Sequence, residues 1–238
     1  DRLACIDISA FPLQLLCRRH PDWAGFPVAV VAENKPNGKI LWVNEHARKR
    51  CILPGCRYAE GLSLARDLRA DVISPDEVER EKIAVMQVLR GFSPEVDASA
   101  HMPGVFWLNA SGLLSVYRSL REWGHKIFRA LSALKFQSSV IIGFLRFSTY
   151  AISGCHPRGV VLFDSQEEEE RTLLQVPFAR MNITPSLRDA LAKLGITHVG
   201  AFLALPRGGI RERFGAEAAA LYDMAAGDGW NPLRVNEP

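Results

Sequence analysis

Cys5-Ile-Asp-Ile-Ser-Ala-Phe11 sets a single acid inside an apolar run. Leu3-Ala-Cys-Ile-Asp-Ile8 has the nearly unbroken apolar character of a buried strand, so Asp7 is a charge placed near a strand end. An acid there can hold the start of the following helix, which reads as running from Ser9 through Leu16 with Ser9 as N-cap.

Working outward, Pro27–Ala32 and Lys39–Val43 read as strands joined by the turn Asn34-Lys-Pro-Asn-Gly38. Asn44 suits the N-cap of a short helix Glu45–Arg50, Leu53-Pro-Gly55 breaks it, and an amphipathic helix is expected over Ala59–Leu68. From residue 71 strands and helices alternate. Strands are expected at Val72-Ile73, Glu95–Ala98, Val105–Leu108, Gln137–Gly143 and Val160–Phe163, with helices at Pro75–Leu89, about Leu114–Leu134 and Phe147–Ser153. Together with the opening strand this is a split β-α-β, ferredoxin-like arrangement in an α+β fold. Asp164–Arg171 reads as an acidic, charge-rich linker. Beyond it an all-helical segment holds Pro185–Leu194, His198–Leu205, Gly209–Phe214 and Ala216–Ala226, punctuated by Gly195, Pro206 and Gly215, and Gly229–Pro238 reads as linker.

A chain of 238 residues, 48% apolar, can bury a sizeable core in one or two domains. Its longest apolar runs fall far short of the roughly 18–20 residues that span a bilayer. The first residue is Asp1 rather than Met, so a trimmed chain is expected. Five scattered cysteines suit free thiols in a reducing compartment. His46, Cys51 and Cys56 lack the Cys-x-x-Cys spacing of a zinc site. The net charge is +3 although Asp164 and Glu167–Glu170 concentrate acids in one run, so the remainder is more strongly basic. That balance fits a polyanionic partner or an ordinary basic protein with one solvated acidic loop.

Three stretches together resemble the Y-family translesion DNA polymerases. Cys5–Phe11 resembles that family's opening strand and helix start. Asn44-Glu-His-Ala-Arg-Lys-Arg-Cys-Ile-Leu-Pro-Gly55 resembles its fingers segment, and Ser93-Pro-Glu-Val-Asp97 with Phe106-Trp-Leu-Asn-Ala-Ser-Gly112 resembles two palm strands. The resemblance implies a polymerase core with a ferredoxin-like palm at 1–9 and 75–163, small fingers at 10–74, the acidic linker at 164–171 and a helix-hairpin-helix-like thumb at 172–234. A little-finger domain would begin where the chain stops.

Within that resemblance Asp7 occupies the place of the first metal-binding acid, and an Asp-Glu pair belongs a few residues before Trp107-Leu-Asn109. From Ala98 to Arg121 the sequence has neither Asp nor Glu, and the candidate positions read His101-Met-Pro-Gly-Val105. Ser9 and Asn109 stand in for further acids, and Pro12 follows Phe11 where the family has a second aromatic. Glu45 takes the place of a tyrosine that contacts triphosphate, Arg48 is kept, and His156 replaces a phosphate-binding lysine by a largely neutral imidazole. The resemblance therefore implies a degenerate nucleotide site at Asp7, Phe11, Glu45, Arg48 and His156. No cofactor is expected, since the Mg²⁺ site would be lost and Asp7 vestigial.

Loss of those acids with retention of the shell resembles the ImuB branch, as do Val176-Pro-Phe-Ala-Arg-Met181, Leu194-Gly-Ile-Thr-His-Val-Gly200 and Leu205-Pro-Arg-Gly-Gly-Ile-Arg-Glu-Arg-Phe-Gly215. This implies a non-catalytic, DNA-binding scaffold in mutagenic translesion synthesis, in a bacterial cytoplasm at the nucleoid. Its expected partners are the sliding clamp, an error-prone replicative-type polymerase and a RecA-like, ImuA-type accessory protein, mostly through regions beyond Pro238. The alternative is an active translesion polymerase with rearranged acids.

Helix-hairpin-helix modules hold DNA through backbone N–H groups at helix starts with basic side chains on phosphates. The expected weak, sequence-independent DNA site is Lys193, Arg207, Gly208, Gly209, Arg211 and Arg213; the same residues also read as a solvated helix boundary. Asn182-Ile-Thr-Pro-Ser186 lacks the Gly-x-Gly of an intact second hairpin. Arg118, Arg121, Lys126 and Arg129 on the long palm helix read either as a basic face for an acidic partner or as a solvated face.

Overall fold

The computed structural model describes residues 2–227, so the expected linker Gly229–Pro238 and the end of the expected thumb lie outside the described residues. In chain order come β1 (Leu3–Asp7), α1 (Phe11–Arg19), β2 (Val28–Val31), β3 (Ile40–Val43), α2 (Glu45–Lys49) and α3 (Tyr58–Leu64). They are followed by β4 (Arg69–Asp71), α4 (Pro75–Arg90), β5 (Val96–Ala98), β6 (Val105–Asn109), α5 (Leu120–Ala133) and β7 (Ser139–Gly143). Last are α6 (Arg146–Ser153), β8 (Gly159–Leu162), α7 (Gln166–Leu174), α8 (Pro185–Lys193), α9 (Val199–Leu203) and α10 (Ile210–Ala225). Two compact units result. The second comprises Ala10–Gln87 and Ala100–Gly104, and the remaining described residues form the first.

The first unit is built on a sheet of order β5-β6-β1-β7-β8. Its β7-β1-β6-β5 portion is antiparallel throughout, the split β-α-β order, and β8 is added parallel to β7 through the α6 crossover. The apolar β1 lies centrally because both its faces are covered. Side chains alternate along a strand, so Ala4 and Ile6 point to one layer and Cys5 and Asp7 to the other.

Helix α5 covers the Ala4 side. A Cβ on Gly124 would come within 2.7 Å of Ile142 and 2.9 Å of Val160, so only glycine lets the helix approach this closely. Trp123, Ile127 and Leu131 bury the inward stripe of α5, and the Trp123 indole donates to the Phe92 carbonyl at 3.0 Å. The Asp7 side carries α6, against which α7 and α10 pack. One apolar cluster runs from Ile141, Phe147 and Ile152 through Leu173 and Phe178 to Leu191, Phe202 and Leu221. The C-terminal helices thus share a core with α6.

The run Asp164–Arg171, read as a linker, is largely the first turns of α7. Ser165 caps that helix, its hydroxyl accepting the Glu168 N–H at 3.2 Å, and acids in a first turn suit the positive end of the dipole. Helical spacing carries Glu169 and Leu173 inward together, and both are buried.

In the second unit a sheet of order β3-β2-β4 packs its apolar residues with Ala47, Ile52 and Leu68. The Asn44 side chain caps α2 as its position suggests, accepting from the Ala47 N–H at 2.9 Å. The helix expected over Ala59–Leu68 ends at Leu64, and the strand expected at Val72-Ile73 forms earlier, at Arg69–Asp71. There Arg69, Ala70 and Asp71 pair in parallel with Val28, Ala29 and Val30, so sheet pairing rather than local apolarity sets the strand. No helix among the described residues is long and apolar enough to cross a membrane.

Candidate functional site

Asp7 ends β1 with 8% of its surface exposed. Its Oδ2 accepts hydrogen bonds from the Ser9 hydroxyl at 3.1 Å and the Ser153 hydroxyl at 3.0 Å. Burial raises its pKa, and the two hydroxyl donors oppose that shift only in part. Ser9 is therefore not the N-cap expected for it: α1 begins at Phe11, its N-cap Ala10 lies in the left-handed region at φ 52°, and no side chain caps the helix. Burial also lifts the Tyr150 hydroxyl far above its ordinary value, with Asp7 adding to the effect.

The register decides what stands beside Asp7. Its neighbour on β6 is Val105 and its neighbour on β7 is Ser139, both buried. The acid on β5, Asp97, faces Trp107 and is paired with Arg146 at 2.7 Å, while that guanidinium lies 4.3 Å from the Trp107 ring centroid. The Glu95 carboxylate accepts from the Asn109 amide at 2.8 Å. Each of these palm acids is thus held by a side chain of its own, and among the described residues no group of three or more His, Cys, Asp or Glu is placed to hold a metal ion.

The other expected nucleotide-site residues divide between the units. His156 is exposed in the turn after α6, and its N–H donates to the Ser153 carbonyl at 3.0 Å, so it meets the same serine that binds Asp7. Phe11 is fully buried in the second unit, where Glu45 and Arg48 are exposed on α2.

In the C-terminal helices, Pro206-Arg207-Gly208-Gly209 forms a turn and a short 3₁₀ segment leading into α10, which kinks at Gly215 (φ 88°). Arg207, Arg211 and Arg213 are exposed, and Gly208 has open space where a Cβ would sit. Lys193 and Arg213 come together in an open groove of about 610 Å³ with Ser186, Asp189, Leu194 and Phe214. Arg207 instead pairs with Asp223 at 2.9 Å. At the start of α8, where the sequence suggested a degenerate second hairpin, the Glu217 carboxylate accepts from both the N–H of Thr184 (2.9 Å) and its hydroxyl (2.6 Å). An internal carboxylate therefore occupies the position that a phosphate would take at this helix start.

Sequence reading misses Glu169. Its carboxylate accepts the N–H groups of Phe144 at 2.6 Å and Leu145 at 3.1 Å, and the Ser148 hydroxyl, closing the N-terminus of α6. The only local signal is the inward phase of Glu169 with Leu173.

A search among curated proteins returned no match. Among solved structures, DinB from Sulfolobus solfataricus is similar at 18% identity, with a TM-score of 0.79 over 98% of this chain and 69% of that one. A Dbh DNA polymerase in an insertion ternary complex is similar at 18% identity and a TM-score of 0.76, over 98% and 69%. A DinB-family error-prone DNA polymerase, also from Sulfolobus solfataricus, gives 17% and 0.77, over 98% and 68%. These likenesses establish the fold as that of a Y-family polymerase core. The family model described as impB/mucB/samB matches residues 6–146. That span is more than half of the chain and takes in the end of β1 with Asp7, the whole second unit and the palm strands through β7, so the chain belongs to the impB/mucB/samB family.

Proposed function

We propose that this protein is a non-catalytic Y-family homologue, of the ImuB kind, that serves as a DNA-binding scaffold in mutagenic translesion synthesis. The observation that carries the reading is the register at Asp7, flanked by Val105 and Ser139 in a palm with no Asp or Glu between Ala98 and Arg121. Two-metal phosphoryl transfer requires cations that bridge attacking and leaving oxygens, and Mg²⁺ is held there through protein carboxylates. The residues present do not fit that pair of ions. Asp7 is a desolvated carboxylate already bound by two serine hydroxyls, and among the described residues no group of three or more His, Cys, Asp or Glu is placed to hold a metal ion. The expected outcome is no primer extension by the purified chain with Mg²⁺ and nucleotides; extension that Asp7→Ala abolishes would establish the alternative, an active polymerase with rearranged acids.

DNA enters this reading through the likeness to a polymerase in a ternary complex and through the exposed arginines at the start of α10. Contact at that turn is electrostatic and independent of sequence, because exposed arginines on phosphates release counterions without reading bases. Of the two hairpin positions, the one opening α10 is open to phosphate, whereas Glu217 covers the one opening α8. The sliding clamp, an error-prone polymerase and an ImuA-type protein remain the partners this reading assigns.

A further inference from the structure

The outward side of α5 carries three exposed arginines and a histidine, of which Arg118 acts electrostatically on Glu122. Arg118, Arg121, His125 and Arg129 are all exposed, and the last three recur every four residues, so they stand one above another along the helix. Lys126 is different: it pairs with Glu122 at 3.1 Å and lies 5.0 Å from the Tyr117 ring centroid. Arg121, His125 and Arg129 have no ion-pair partner among the described residues.

The row also runs against the electrostatics of its own helix. Cations suit a C-terminus, yet Arg118 and Arg121 sit at the positive N-terminal end and the last turn of α5 has no basic residue. Arginines placed against the helix dipole point to a requirement outside the fold.

We infer that the Arg118–Arg121–His125–Arg129 row of α5 is a docking surface for an acidic, partly apolar segment of a partner protein. Two observations favour a protein over nucleic acid. The row lies across the sheet from α6, because Gly124 seats α5 on Ile142 and Val160 while Asp7, α6 and the helices packed on α6 occupy the other face. DNA held at the Arg207–Arg213 turn or near Asp7 is therefore on the opposite side of the sheet. In addition Val116, two residues before Arg118, is 74% exposed, which gives an apolar contact that a phosphodiester backbone would not use. Guanidinium groups pair carboxylates in bidentate fashion, and glutamates one helical turn apart match the spacing of the row. The inference holds whether or not the palm transfers nucleotides.

The test uses the full chain, a fluorescent acidic amphipathic peptide with glutamate at every fourth position and leucines between, and a single-stranded oligonucleotide of similar charge. The double variant Arg121→Glu/Arg129→Glu breaks no internal ion pair, so its circular dichroism should match the parent, and its unfolding midpoint should be no lower because an acid in the first turn suits the helix dipole. Peptide affinity should fall at least roughly tenfold in the variant, as removal of close charge pairs predicts, while oligonucleotide affinity stays within about twofold. Val116→Ser should weaken the peptide alone. Unchanged peptide binding would overturn the inference, as would an equal loss for the oligonucleotide, or loss of self-association with no change in peptide affinity.

Discussion

At the N-terminal end of α6 the Glu169 carboxylate accepts two backbone N–H groups and the Ser148 hydroxyl, while at the C-terminal end Asp7 accepts hydroxyls from Ser9 and Ser153. Exposure is 1% for Glu169 and 8% for Asp7, so both carboxylates have left water. The helix dipole separates them: it favours an anion at the first end and opposes one at the second. Glu169 is explained by folding. Asp7 is not, because its burial gains no opposite charge among the described residues and no backbone donor. Under the proposed function, Asp7 would be the one acid kept by a strand-end site that has lost the others.

The largest expected effect tests the favourable end. Glu169→Ala leaves the Phe144 and Leu145 N–H groups and the Ser148 hydroxyl without their acceptor in a buried setting, so the loss should be about 3–5 kcal/mol. Denaturant unfolding at neutral pH measures it, and Glu169→Gln, which keeps an acceptor oxygen, should lose markedly less. Asp7→Asn should cost under about 1 kcal/mol at pH 7, since an amide oxygen still accepts from a serine and no charge is left desolvated. A cost matching that of Glu169→Ala would erase the contrast between the two ends.

The pH dependence sharpens it further. Because burial lifts the Asp7 pKa above 3.8, the folded protein holds that proton more tightly than the unfolded chain. The associated stability is complete below the unfolded pKa and is lost as pH rises through the folded one. The parent should therefore lose stability relative to Asp7→Asn between acid and neutral pH, read as the difference between their unfolding free energies across that range. A parallel pair of curves would mean that Asp7 titrates as it does in the unfolded chain.

The smallest effect on stability belongs to the exposed turn. Replacing Arg207, Arg211 and Arg213 together by alanine should change unfolding free energy by no more than about 0.5 kcal/mol, apart from the surface pair of Arg207 with Asp223. The same variant should flatten the log–log salt dependence of duplex binding by about 0.9 for each phosphate that is no longer neutralised. An unchanged slope would remove the turn from the DNA surface and leave its arginines as solvated side chains.

Much of the architecture is legible because it rests on local rules. Leu3–Ile8 reads as a strand from apolarity, Asn44 as a cap from its position, and Gly215 as a break that becomes a left-handed kink. Local rules fail where partners decide. Ser9 reads as a cap because serine favours that position, but its hydroxyl turns to Asp7. Val72-Ile73 reads as a strand for its β-branched residues, but pairing with β2 draws in the less apolar Arg69–Asp71. Asp164–Arg171 reads as solvated for its charge, although one of its four glutamates is needed inside.

What the sequence by itself determined is the order of elements and the absence of Asp and Glu from 98–121, since both follow from residue identity and short-range periodicity. The tertiary structure alone decided which residues flank Asp7, that Ser153 reaches it from 146 residues away, and that Glu169 closes a helix 24 and 25 residues before it. It also decided that Glu217 covers one helix start while Arg213 and Lys193 share a groove. Those juxtapositions depend on sheet register and on which face each helix covers. Periodicity of 2.0 or 3.6 residues fixes a side chain's direction within its own element, but not the element it will meet.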